Sequence, residues 1–146
     1  MPQPVATGLH HIALTVTDLE ASIAWYERVF GITYEADRPH ESGVGKILAD
    51  SEWSLVIVLH RHDANQGERF AESRTGLDHV SFSVPSRAGL ELWQKHLEEL
   101  GVSLSPMADR PKGSVLVFRD PDNIQLELFA PPSSRAGAPV HPSDHG

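Results

Sequence analysis

The segment Leu9-His10-His11-Ile12-Ala13-Leu14-Thr15-Val16 returns later as Leu77-Asp78-His79-Val80-Ser81-Phe82-Ser83-Val84, with leucine, histidine and valine superposing at one offset of 68 residues. Trp25 and Trp93 stand at that same offset, each in the helix-like segment that follows its copy. A repeated structural unit follows, so the elements of one half are expected to have counterparts in the other. Each copy alternates in polarity. In a strand, His11, Ala13, Thr15 and Thr17 therefore share one face, while Ile12, Leu14 and Val16 share the more apolar one. Nine histidines in 146 residues leave about a 6% chance of finding one at a preassigned position, so His11 and His79 together weigh more than either alone.

Composition bounds the rest. A chain of 146 residues with 40% hydrophobic content can bury roughly two-thirds of its unfolded surface in one ordinary globular domain. It has no cysteine, which removes disulfides, thiolate metal sites and cysteine nucleophiles and leaves only nitrogen and oxygen donors for a metal. Twenty acidic against twelve basic residues disfavour nucleic acid or an anionic membrane as partner. No signal-peptide core and no apolar run near about 20 residues is present, so a soluble, cytoplasmic protein is expected.

After the first strand, Asp18 offers a helix cap, and Leu19, Ile23, Tyr26 and Phe30 recur at helical spacing until Gly31. The spacing predicts a helix over 19–30 and then strands over 32–36, 44–49 and 54–59. The second half repeats the order: a strand over 77–84, a cap at Ser86, a helix over 87–100 closed by Gly101, and strands over 102–106, 114–118 and 124–129. The last two are joined by the turn sequence Arg119-Asp120-Pro121-Asp122-Asn123. Trp25 and Trp93 are expected in the core beneath the sheets. The fold class is α+β, with two tandem β-α-β-β-β modules whose sheets, facing each other, would form a cupped cleft. The organisation is a flexible N-terminus over 1–7, a first module over 8–60, a polar linker over 61–75, a second module over 76–130, and a flexible tail over 131–146 that is too poor in core-forming residues to order itself.

In the last strand Ile124, Leu126 and Leu128 point one way and Gln125, Glu127 and Phe129 the other, which places Glu127 on the same side as His11 and His79. Two imidazoles and one carboxylate match a 2-His-1-carboxylate site, which holds a divalent ion on one face and leaves positions for water or substrate. Fe(II), Mn(II), Zn(II), Ni(II) and Co(II) all suit such a donor set. His10 reads as a neighbour of the site, and His40, His60, His62 and His96 fall in loops, at strand ends or on a helix surface, one of them a candidate base. Lys46, Arg38, Arg110 and Lys112 read chiefly as solvated surface charge.

His11 ahead of Asp18-Leu19-Glu20-Ala21-Ser22-Ile23-Ala24-Trp25-Tyr26-Glu27, its partner His79, and Arg119-Asp120-Pro121-Asp122-Asn123-Ile124-Gln125-Leu126-Glu127-Leu128 resemble the vicinal oxygen chelate superfamily. That superfamily is the glyoxalase, bleomycin resistance and extradiol dioxygenase group. The resemblance spans nearly all of 8–130 and implies that His11, His79 and Glu127 are metal ligands, with Glu127 a ligand throughout or detaching as a catalytic base. It also implies a homodimer, with ligands from one chain or two, and a small substrate that chelates the ion through neighbouring oxygens. Where the family's usual glycine follows Asp-Pro-Asp this chain has Asn123, which tolerates a left-handed turn. Glyoxalase I-like members place a fourth ligand where this chain has Leu55-Val56-Ile57-Val58-Leu59, and fosfomycin-modifying members carry a hydroxyl residue where it has Ala13. The implied activity is dioxygenase-like with Fe(II), or lyase- or isomerase-like with a redox-inert ion. The alternatives are a non-catalytic, bleomycin-resistance-like drug binder and an empty scaffold.

Overall fold

A computed structural model describes residues 2–132 of the chain. Residues 133–146, with His141, His145 and nearly all of the expected tail, lie outside the described residues. The described elements are β1 (Ile12–Thr15), α1 (Leu19–Phe30), β2 (Thr33–His40), β3 (Gly43–Ala49) and β4 (Val56–His62), then β5 (Val80–Ser83), α2 (Arg87–Glu99), β6 (Ala108–Arg110), β7 (Gly113–Arg119) and β8 (Gln125–Ala130). The chain divides into two compact units, Met1–Arg69 and Phe70–Gly146. Each described unit holds a four-stranded sheet and one helix, the α+β architecture expected from the repeat. No helix of the described residues is long and apolar enough to cross a membrane.

In the first unit the strand order is β1-β4-β3-β2, with β1 parallel to β4 and the remaining pairs antiparallel. Asp18 caps α1, its carboxylate accepting the Ala21 N–H at 3.1 Å, and Gly31 closes the helix in the left-handed region at φ 68° with its N–H on the Glu27 carbonyl. Ser22, Tyr26 and Val29 recur at three- and four-residue steps and form the buried face of the helix. The core adds Leu14, Val16, Ile32, Leu48, Ile57 and Leu59. Ala49, Val56 and Val58 form a separate buried cluster with Ile47 packed on it. Because Ile47 pairs with Val58 and Ala49 with Val56, these side chains share the sheet face opposite Leu48, Ile57 and Leu59.

The second unit repeats the plan with order β5-β8-β7-β6 and β5 parallel to β8. Ser86 caps α2 by accepting the Gly89 N–H at 3.1 Å, and the helix buries Leu90 and Leu97 at 0% exposure, worth about 2 kcal/mol each. The helix ends one residue before the expected Leu100, and Gly101 follows at φ 73°. Leu116, Phe118, Ile124, Leu126 and Leu128 complete this core.

Three expectations need correction. Trp25 and Trp93 are half-buried flank residues, because Tyr26, at 0% exposure, and Leu90 and Leu97 take the positions facing the sheets. The strand expected at 102–106 contributes only an isolated Leu104–Phe118 bridge and a bond from the Ser105 N–H to the Val117 carbonyl. Pro106 has no N–H for the ladder, so pairing resumes in the short edge strand β6, which stops before Pro111. In the first unit β2 runs on to His40 and β4 to His62. The polar run Glu35 to Pro39 hid this extension, yet β2 is an outer strand, where exposed side chains and a proline are tolerated.

Candidate metal centre

In the second unit the parallel pairing of β5 with β8 sets Ser81 opposite Glu127, and His79 precedes Ser81 by two residues on the same face. Leu126 and Leu128, both buried on the other face, fix the rotation of β8 and leave Glu127 half-buried at the open one. The result is a His79 Nε2 to Glu127 Oε2 distance of 3.1 Å.

The opposite nitrogen of His79 is spoken for. Its Nδ1–H donates to Asp78 Oδ1 at 2.7 Å, which assigns a proton to Nδ1 and turns Nε2 toward Glu127. A lone pair on Nε2 would face a carboxylate oxygen across 3.1 Å, and a cation between them, proton or metal, is what removes that repulsion. Cis donors on an ion at about 2.1 Å stand about 3.0 Å apart, so the pair fits two neighbouring coordination positions. A carboxylate holding the far ring nitrogen is also the usual support of a metal-bound histidine.

Behind Asp78 the polar chain continues. Gln125 Nε2 donates to Asp78 Oδ1 at 3.4 Å, Arg119 donates to Gln125 Oε1 at 2.8 Å, and Arg119 forks onto both Glu72 oxygens at 2.9 and 3.0 Å. The Arg119 guanidinium holds the Glu72 carboxyl well below its usual value, at about 2. The β7–β8 turn that leads into Glu127 is closed by Asp120, whose Oδ1 accepts the N–H groups of Asp122 and Ile124, both at 2.8 Å. Asn123 takes φ 71°, the left-handed conformation expected of the residue replacing glycine.

His11 occupies the corresponding place in the first unit, immediately before β1 and exposed. Its Nδ1 lies 2.9 Å from His10 Nδ1, one ring donating and the other accepting. His10, the counterpart of Asp78 in the repeat, thus faces Nδ1 of the His11 ring as Asp78 faces Nδ1 of His79. In both copies Nε2 is left for another partner. Val58, which pairs with Ala13 as Glu127 pairs with Ser81, holds the position matching the carboxylate, so the first unit has no equivalent of Glu127.

A second group of ligand-type residues was not gathered by sequence reasoning. His60 and His62 alternate on one face of β4, and the hairpin register places Gly43 between His40 and His62. One ring nitrogen of each of His40, His60 and His62 lies within 4.8 Å of the others. The available signal was the His-Arg-His alternation, but the third member depended on the unrecognised extension of β2. Burial depresses the His60 pKa, with the like charges of His40, His62, Arg38 and His11 adding to the effect.

The family model of the Glyoxalase/Bleomycin resistance protein/Dioxygenase superfamily matches residues 8–128. The chain is similar to the putative ring-cleaving dioxygenase MhqA of Bacillus subtilis, 28% identical over 83% of this chain but spanning only 39% of that longer protein. It is also similar to the metallothiol transferase FosB of Bacillus licheniformis, 29% identical over 83% of this chain and 73% of the other. Among solved structures, a glyoxylase/bleomycin resistance protein/dioxygenase domain from Frankia sp. EAN1pec is 34% identical with a TM-score of 0.80, covering 88% of this chain and all of that one. The chain belongs to the Glyoxalase/Bleomycin resistance protein/Dioxygenase superfamily.

Proposed function

We propose that the protein is a metal-dependent enzyme of the vicinal oxygen chelate type, in which His11, His79 and Glu127 hold one divalent ion and a small substrate binds through two adjacent oxygens. The observation that carries the reading is the His79–Glu127 pair, an imidazole nitrogen and a carboxylate oxygen held 3.1 Å apart with the imidazole oriented from behind by Asp78. Similarity to a ring-cleaving dioxygenase and to a metallothiol transferase supports the class. The chemistry such an ion supplies when bound is Lewis-acid polarisation of substrate oxygens. The protein's own part is to orient the His11 and His79 rings through His10 and Asp78, and to keep Glu127 available as ligand or, on release, as a base at Oε2. The apolar Leu55–Leu59 run favours a three-ligand centre without a fourth protein donor, and Ala13 stands where fosfomycin-modifying members carry a hydroxyl residue.

Mn(II) titration followed by electron paramagnetic resonance tests this. One equivalent is expected in the wild type and a loss of that equivalent in His79→Ala and Glu127→Gln, with unchanged circular dichroism. Retention of Mn(II) by both variants would end the proposal. Mixing His11→Ala with Glu127→Gln chains asks whether a centre draws on one copy or two, since recovered binding requires a homodimer that shares ligands. Catechols, 2-oxoaldehyde–thiol adducts and electrophilic antibiotics are then the substrates to assay.

A further inference from the structure

We infer that the first unit carries a second metal site, separate from the proposed catalytic centre, in which the imidazoles of His40, His60 and His62 bind one zinc ion. The three rings cluster, with centroids 5.3 Å apart for His40–His60, 4.9 Å for His40–His62 and 5.9 Å for His60–His62. Three imidazoles on a tetrahedral ion at about 2.05 Å have ring centres near 5.2 Å apart, so the arrangement is close to that required. Their ligand nitrogens, within 4.8 Å of one another, reach the roughly 3.3 Å spacing of tetrahedral ligands by small ring rotations.

Two further observations point to an occupant. Among the described residues, His40 Nε2 and His60 Nδ1 are buried side-chain nitrogens without a hydrogen-bond partner. A buried imidazole nitrogen carries either an unmet proton or an unmet lone pair, and coordination satisfies the latter on both rings at once. Room for the cluster also comes from β3. His60 lies against Gly45, where a Cβ would come within 2.5 Å of its ring, and His40 lies against Gly43, where a Cβ would approach to 2.8 Å. At Gly45 only glycine lets the His60 ring lie this close to the sheet, whereas at Gly43 a Cβ would also meet the Arg61 carbonyl oxygen at 2.1 Å.

The donor set selects the ion. Three neutral nitrogen donors with no carboxylate suit Zn(II), which commonly takes three histidines and leaves one position for water. That position faces a hollow of about 420 Å³ lined by Ala13, Leu14, Thr15 and the three histidines. Arg38, opposite Gly45 in the register, favours an anion as the fourth ligand. The site is not the one assigned to His11. His60 pairs with Thr15, four residues along β1, which separates the two places by about 13 Å of strand.

Zinc content of tag-free full-length chain after equilibration with Zn(II) and gel filtration tests the inference. Wild type is expected to hold two equivalents, and His79→Ala/Glu127→Ala and His60→Ala/His62→Ala one each. Should the catalytic reading fail, the wild type holds one equivalent that survives loss of His79 and Glu127 and disappears with His60 and His62. In the His79→Ala/Glu127→Ala background, Co(II) should give the visible bands of a tetrahedral site, abolished by His40→Gln, a strand-end change that serves if the β4 double variant does not fold. Zinc stoichiometry unaffected by His60→Ala/His62→Ala, or Co(II) bands unaffected by His40→Gln, would overturn it.

Discussion

Asp120 controls the approach to Glu127, and its replacement is a quantitative test of how the turn is held. The side chain is 6% exposed, and its Oδ1 accepts two backbone N–H groups at 2.8 Å, from Asp122 and Ile124. Asp120→Ala removes both acceptors. The Ile124 amide is buried, so losing its charged partner is worth about 2 kcal/mol, whereas the half-buried Asp122 amide can recover water and loses about 1 kcal/mol. A total near 3 kcal/mol lowers the melting temperature by roughly 10 °C in a chain of this size. Asp120→Asn keeps an amide oxygen for both donors and gives up only the charge, so about a third of that loss is expected. Thermal unfolding followed in parallel by circular dichroism and tryptophan fluorescence reads both numbers. An alanine variant that melts within about 2 °C of wild type, or that melts together with the asparagine variant, would refute the claim that the carboxylate organises the turn.

Asp78→Ala leaves His79 free to rotate and to exchange tautomers, and should weaken Mn(II) binding by roughly 10- to 100-fold with little change in melting temperature, as read by isothermal titration. Gly45→Ala drives a Cβ to 2.5 Å from the His60 ring and should cost about 1–3 kcal/mol. Most of that is recovered in a His60→Ala background, which a double-mutant denaturation cycle measures. Glu72 is held at about 2 in the folded chain by Arg119, below the 4.5 of the free side chain. The folded state therefore binds this proton less tightly than the unfolded one, and the pair's contribution to stability is full above about 4.5 and fades as pH falls toward 2. Carbonyl-detected NMR of Glu72 and a flattened acid-stability curve for Glu72→Gln check the sign.

Much of the fold was legible because local and global signals agree. Asp18, Ser86, Gly31 and Gly101 mark the ends of α1 and α2, and alternation in β1, β5 and β8 separates the buried Leu14, Val80, Leu126 and Leu128 from His11, His79 and Glu127. What was hidden depended on pairing rather than pattern. β2 is an edge strand whose residues are almost all exposed, so nothing in its polarity announces a strand, and its register against Gly43 decides where His40 goes. Asp78 was equally silent, since its role rests on one 2.7 Å bond to its neighbour's ring.

The two modules have diverged along one strand pair. In β8 the residue opposite Ser81 is Glu127, whereas in β4 the residue opposite Ala13 is Val58, packed with Ala49, Val56 and Ile47. A carboxylate at Val58 would have to give up its hydration to that apolar cluster, and only a bound cation would offset the cost. The polar side chains of β4 instead appear two and four residues later, as His60 and His62, over the glycines of β3. One copy of the repeat therefore keeps the carboxylate and the other moves its ligand-type residues to the far end of the strand. A duplicated scaffold can in this way carry two differently placed sets of ligand-type residues without altering its topology, because strand position decides which side chains meet.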